Sequence, residues 1–193
     1  NVFDLQGHAV WSGASVGVAI YPENSATATD LLRYAEMAVY KAKVQGRNTY
    51  CFYDRSMTES ILLSRALELR LREALALKHF QMFYQPIMAI GTLQISHVEA
   101  LVRWKDPEIG LISPDAFIPL AEETGLIVEL GAWVLDESCR QLADWYVRGL
   151  NPNIGVAINV SGRQVPQGLP LDLIKTTLAQ HGLTGQQLSI EIT

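Results

Sequence analysis

The sequence predicts an α/β protein in two parts. Three observations carry that expectation. The first 53 residues read as strand, strand, helix, strand; an uninterrupted helical stretch occupies about 56–78; and beyond it strands alternate with helices, the pattern of a parallel sheet covered by helices. Apolar residues make up 49% of the 193 positions and charged residues 18%, which suits a soluble globular chain with a sizeable core.

The elements follow in order. Ser15, Gly17 and Ala19 alternate with Val16, Val18 and Ile20, a strand that stops at Tyr21-Pro22. Thr27 and Asp30 are spaced as a capping box. Leu31, Ala35, Ala38 and Ala42 then form a helical stripe, and Gly46 supplies its stop. Thr49 to Tyr53 reads as a short closing strand. From about Ser56 to Lys78, Leu63, Leu67, Leu71 and Leu75 line one side of a long helix, and Glu68 and Arg72 are placed for an i,i+4 pair. Neither Pro nor a Gly-rich stretch interrupts it. It is therefore expected as a stiff connector packed on its own domain, with a dimerising signal helix as the alternative.

Strands are expected next near 80–88 and 94–104, then a helix with Ser113 as N-cap and Pro114 at its first position. A longer helix from about Ile127 to Arg148 ends at Gly149. A strand at Ile154 to Val160, a helix at Pro170 to His181 and a strand at Leu188 to Ile192 complete the chain.

Composition excludes several classes of function. No apolar run approaches the roughly 20 residues that span a bilayer, so no membrane contact is expected from this segment. A cytoplasmic location is expected, with anchoring of a longer parent in the inner membrane left open. The formal charge is -5 and the 15 basic residues are scattered, which argues against a nucleic-acid polymer as partner. Any phosphate binding must be local. Cys51 and Cys139 lack metal or CxxC spacing and are expected as reduced thiols. His8, His79, His97 and His181 form no ligand motif and are taken as structural or surface residues.

The informative segment is Val98-Glu99-Ala100-Leu101-Val102-Arg103-Trp104. As a strand it puts Glu99, Leu101 and Arg103 on one face, because side chains alternate with period two. An acid and a base within a sheet core are costly unless charged partners meet them. A cation for Glu99 and an anion for Arg103 form the simplest pair, and a direct Glu99–Arg103 salt bridge is the plain alternative. Three other strands also carry one polar residue: Gln85 in 83–87, Asn159 in 156–160 and Glu191 in 189–192. Taken singly, Gln85 suits a loop beside Pro86, Asn159 a strand-end turn and Glu191 a solvated edge. The pair Glu122-Glu123, before Gly125, is expected to be structural or to anchor a lid.

The tripeptide Glu-Ala-Leu alone means little, since it recurs at Glu73-Ala74-Leu75. The longer run does more. Glu99 to Trp104, Asp106-Pro107-Glu108-Ile109-Gly110-Leu111-Ile112-Ser113-Pro114 and Phe117-Ile118-Pro119-Leu120-Ala121-Glu122-Glu123-Thr124-Gly125-Leu126-Ile127 together resemble the EAL family of bacterial cyclic di-GMP phosphodiesterases. Residues 15–22 and 35–48 resemble the C-terminal part of a GGDEF domain, the diguanylate cyclase fold.

These resemblances imply residues 1–55 as the C-terminal portion of a GGDEF domain and 56–78 as a connector helix. Residues 79–193 become the N-terminal half of an EAL domain, the opening half of a TIM-like (β/α) barrel. They imply Glu99, Asn159 and Glu191 as ligands of Mg²⁺ or Mn²⁺, and oxygen donors suit such hard cations. Arg103 is implied as the phosphate contact, where a planar guanidinium can bind two oxygens at once, and Gln85 and Leu101 as further contacts to cyclic di-GMP. Lys43 and Arg47 match nucleotide-phosphate contacts of the cyclase fold; cations at a helix C-terminus, favourably placed against its dipole, are the alternative.

The GGDEF hairpin would lie upstream of Asn1, and further EAL ligands and catalytic groups downstream of Thr193, so no catalytic residue is assigned within the chain. The expectation is a parent that hydrolyses cyclic di-GMP to linear pGpG, works as a homodimer and has GTP as a second ligand at the upstream domain. The isolated chain is expected to be inactive, with an exposed sheet edge. The rivals are a degenerate nucleotide-binding module, a bifunctional protein with net cyclase output, and a structural dimerisation module.

Overall fold

The computed structural model describes residues 2–5, 7–164 and 171–193. They fall into two compact units, Asn1–Ala66 and Leu67–Thr193.

In the first unit, β1 (Val2–Leu5) and β2 (His8–Trp11) form an antiparallel hairpin, turned at Gly7 with φ 84°. Strand β3 (Val16–Val18) pairs in parallel with β4 (Tyr50–Phe52), and α1 (Ala28–Val44) is the crossover between them. Three strands therefore precede α1, where the sequence suggested two. The hairpin strands are only four residues each, too short for alternation to declare itself.

Gly17 shows why β3 and α1 can pack so closely. A Cβ there would lie 2.0 Å from Ala35 O and 2.4 Å from Val39 N, so backbone meets backbone only without a side chain. Ala38 and Ala42, both fully buried, continue that close face of the helix. At its start, Thr27 Oγ1 accepts the N–H of Asp30 at 3.2 Å. The expected capping box is only half formed: Asp30 Oδ2 accepts from the Thr27 hydroxyl at 2.8 Å, and the Thr27 N–H goes to Ser25 Oγ.

Helix α2 (Arg55–Leu77) is continuous, and Arg72 meets Glu68 at 2.8 Å. The expected leucine stripe is buried at Leu71 and partly buried at Leu67 and Leu75, but Leu63 is 71% exposed and lies outside it.

The second unit holds β5 (Phe80–Ala89), β6 (Gln94–Asp106), β7 (Gly110–Ile112), α3 (Pro114–Thr124), α4 (Ile127–Val147), β8 (Gly155–Val160), α5 (Leu171–Gln180) and β9 (Leu188–Ile192). The start expected for α5, at Pro170, lies outside the described residues. The sheet order is β5-β6-β8-β9, with β7 paired to β6.

The strands that alternate with helices are parallel as expected, and the sheet also carries two antiparallel strands. β6, β8 and β9 are parallel, whereas β5 and β7 run antiparallel to β6. Only residues 90–93 separate β5 from β6, far short of the dozen or more a parallel crossover needs, so the pair closes as a hairpin. Strand β7 was missed because it is three residues long and follows a tight Asp106–Gly110 turn, with Gly110 at φ 88°.

The helix-facing side of this sheet carries the core. Phe80, Ala100, Trp104, Val156, Ile158 and Val160 pack with Phe117 of α3 and with Leu130, Leu135 and Leu142 of α4. The rings of Phe80, Trp104 and Phe117 lie 5.7–6.0 Å apart, tilted or edge-on, the arrangement their quadrupoles favour. Burial of these large side chains on one face leaves the opposite face for polar residues.

Candidate functional site

The polar residues singled out in the sequence lie on that opposite face, and strand pairing brings four of them into one row. Gln85 of β5 is the register partner of Glu99 on β6, and Asn159 of β8 is the partner of Glu191 on β9. Glu99 pairs with Ala157, so Asn159 sits two positions further along β8 on the same face. The row closes across β6 and β8 where Asn159 Nδ2 donates to Glu99 Oε1 at 2.7 Å. Glu191 is exposed, and its carboxylate takes no hydrogen bond or ion pair among the described residues.

Two plain alternatives fall away. Gln85 belongs to a paired strand and not to a loop, and Asn159 lies within β8 before its end. Pro86 is tolerated beside Gln85 because β5 is an edge strand.

Leu101 and Arg103 continue the same face of β6, opposite Phe83 and Gln81. Among the described residues no ion pair joins Glu99 to Arg103. The Arg103 guanidinium instead donates from Nη1 to Val102 O at 2.8 Å and lies 5.7 Å from the Phe83 ring centre, a cation–π contact. With no carboxylate partner it keeps donors for an anion. His97, also on this face, packs over Gly155, where a Cβ would approach its ring to 2.7 Å. Its role is packing.

Among the described residues, no three His, Cys, Asp or Glu side chains cluster in a way that would hold a metal. Of the row, Glu99, Asn159 and Glu191 offer two carboxylates and one amide. That all-oxygen set fits a hard divalent cation and not zinc, with Asn159 contributing through its amide oxygen, since its nitrogen is spent on Glu99. A cavity of about 220 Å³ lies elsewhere, along the outer edge of β5 beside α4, and is lined by Phe80, Gln81, Met82, Tyr84, Trp133, Glu137 and Gln141. It contains none of the row residues.

Lys43 lies in the last turn of α1, and Arg47 follows Gly46 in a left-handed turn with φ 60°. Both belong to the first unit. Neighbours of the row that sequence reasoning missed are Ser161 and Gln164, in the turn after β8; the signal available was only the short polar run behind Asn159. Glu122 receives the Ser161 hydroxyl at 2.5 Å, and Glu123 is exposed. Among the described residues no helix is long and apolar enough to cross a membrane.

Comparison with known proteins gives this geometry a context. The chain is 39% identical over 191 residues to the "Bifunctional diguanylate cyclase/cyclic di-GMP phosphodiesterase MucR" of Pseudomonas aeruginosa, covering 99% of this chain and 28% of that protein. It is 36% identical over 184 residues to the "Cyclic di-GMP phosphodiesterase PdeR" of Escherichia coli, covering 95% of this chain and 27% of that protein. The chain thus spans about a quarter of the length of the curated relatives it matches. A solved structure, "PaMucR Phosphodiesterase, c-di-GMP complex", superposes with a TM-score of 0.60 at 39% identity, over 64% of this chain and 50% of that one. Residues 68–193 match the model of the EAL domain, and on that match, with the mixed α/β sheet beneath it, the chain belongs to the EAL domain family.

Proposed function

We propose that the protein to which this chain belongs hydrolyses cyclic di-GMP to linear pGpG, and that this chain supplies one wall of the active site. The observation that carries the proposal is the row Gln85, Glu99, Asn159 and Glu191 across four adjacent strands, with Arg103 further along the same face. Relatives named cyclic di-GMP phosphodiesterases, and a similar structure solved with c-di-GMP, support it.

In this proposal Glu99, Asn159 and Glu191 hold Mg²⁺ or Mn²⁺. Bound there, divalent cations lower the pKa of water and offset charge on the phosphodiester. Arg103 binds a phosphate oxygen, its guanidinium lying over the Phe83 ring. Gln85 and Leu101 line the nucleotide's path.

Residues 1–55 are assigned to the end of a GGDEF domain, 56–78 to the connector and 79–193 to the first half of an EAL barrel. A cytoplasmic site of action, GTP at the upstream domain and a homodimeric parent belong to the same proposal. The relative named bifunctional favours a second reading, in which the parent both makes and hydrolyses cyclic di-GMP.

The test is turnover of cyclic di-GMP by the full-length protein with Mg²⁺ or Mn²⁺, beside Glu99→Ala. The expected result is loss of at least about 100-fold in kcat/KM, as for removal of a group needed in the transition state. Turnover indifferent to Glu99→Ala rejects the assignment.

A further inference from the structure

Beyond Asn159, β8 ends in a turn with several polar groups hydrogen-bonded inward, although the buried Gln164 Nε2 has no partner among the described residues. Ser161 is only 6% exposed. Its N–H donates to Gln164 Oε1 at 2.9 Å, its hydroxyl donates to Glu122 Oε1 at 2.5 Å, and its Oγ accepts the N–H of Arg163 at 3.2 Å. The Arg163 guanidinium donates to Glu122 O at 3.3 Å. Gln164 is 2% exposed and lies against Gly131 of α4, where a Cβ would come within 1.9 Å of its Nε2. The turn is thereby bonded to α3 through Glu122 and packed against α4 through Gln164. On its other side the N–H of Thr193 donates to Val160 O and the N–H of Gly162 to Thr193 O, both at 3.1 Å.

A turn that merely leaves a strand has no need of a charge-assisted bond to a half-buried carboxylate and a buried glutamine. What lies two residues before it is Asn159, an exposed side chain whose aim is set by the backbone at 159–161. We propose that Glu122, Ser161 and Gln164 are positioning residues for Asn159, holding the exit of β8 so that the amide stays against Glu99 and presents its oxygen to a divalent cation. The inference rests on Asn159 being a metal ligand. Groups that orient ligands from behind commonly change metal affinity by about tenfold or more when removed.

The experiment uses the full-length protein and Mn²⁺, with free Mn²⁺ followed by electron paramagnetic resonance during titration. Wild type, Asn159→Ala, Ser161→Ala and the double variant Asn159→Ala/Ser161→Ala are compared. Asn159→Ala and Ser161→Ala should each weaken Mn²⁺ binding about tenfold. In the Asn159→Ala background, Ser161→Ala should cost less than about twofold, because a residue acting through another is non-additive with it. Glu122→Gln keeps an acceptor for Ser161 but loses the charge, and should weaken binding about threefold.

Unchanged affinity in Ser161→Ala and Glu122→Gln, while Asn159→Ala is weakened, overturns the positioning role and leaves the metal assignment standing. Full additivity in the double variant also overturns it, making the turn a matter of general stability. Unchanged affinity in Asn159→Ala overturns both. If Ser161→Ala does not fold, Glu122→Gln with and without Asn159→Ala closes the same cycle.

Discussion

Asn159 donates to Glu99 across neighbouring parallel strands, at 2.7 Å between side chains 60 residues apart in sequence. The bond uses the amide nitrogen and leaves the oxygen unspent, so the two side chains form one donor surface in place of a closed polar pair. It is also the point at which an acid flagged by local sequence acquires a partner from a distant segment.

Arg103 is expected to act on substrate binding. Lysine matches its charge but not its planar fork. In the full-length protein Arg103→Lys should raise KM for cyclic di-GMP about tenfold and change kcat by less than about threefold. Steady-state kinetics decide it; an unchanged KM would remove Arg103 from the phosphate site.

Asp106 should contribute to the acid limb of stability. It is 5% exposed, and accepts the N–H groups of Ile109 and Glu108 at 2.9 Å and Arg70 Nη1 at 3.1 Å from both oxygens, while Arg70 also pairs with Glu108. The Ile109 N–H first, then the Glu108 N–H and Arg70, hold its carboxyl below the ordinary value of 3.8 against the opposing effect of burial. A lowered folded-state pKa gives stability that is present above the unfolded value and lost as pH falls through the folded one. Asp106→Asn should therefore lower stability at pH 7 and flatten its decline below about pH 4. Urea midpoints across pH measure this, and parallel acid limbs in the two proteins would contradict it.

Gly17→Ala should loosen the first unit. The new methyl would meet the backbone of Ala35 and Val39 at 2.0–2.4 Å, and neither α1 nor β3 can yield without losing its hydrogen bonds. Overpacking of this kind costs about 1–3 kcal/mol. Amide hydrogen exchange across α1 and β3 reports it; unchanged protection would mean that the helix moves freely.

Cys139 should be chemically silent in the folded protein. Burial pushes its thiol up to about 11, with Asp136 adding to the effect, so at neutral pH it is protonated and out of reach. Ellman's reagent at pH 8 should leave it untouched until denaturant is added, while the less buried Cys51 accounts for any reaction of the native protein. Mass spectrometry of the labelled chain distinguishes the two thiols. Native labelling at Cys139 would show that α4 opens readily.

Much of the fold was legible because its signals are local. The helix starts at Thr27 and Ser113 depend on a residue or two, and the stripe of Leu31, Ala35, Ala38 and Ala42 lies within a few turns. Strand direction was not local in this sense: the residues of β5 do not assign it, and the connection of only four residues to β6 decides the hairpin. Leu63, placed on the α2 stripe by spacing, proved exposed because a helix face is buried only where something packs on it.

By itself the sequence determined which side chains share a face, since period-two alternation assigns Glu99, Leu101 and Arg103 together and Asn159 opposite its apolar neighbours in any register. Tertiary structure alone decided that Gln85, Glu99, Asn159 and Glu191 stand beside one another, and that Glu122, Ser161 and Gln164 brace the end of β8. The reason is physical. Alternation follows from the geometry of a single chain, whereas register and cross-strand hydrogen bonds are fixed only when the helix-facing core of Phe80, Trp104, Phe117, Val156 and Ile158 closes and allows each strand one position against the next.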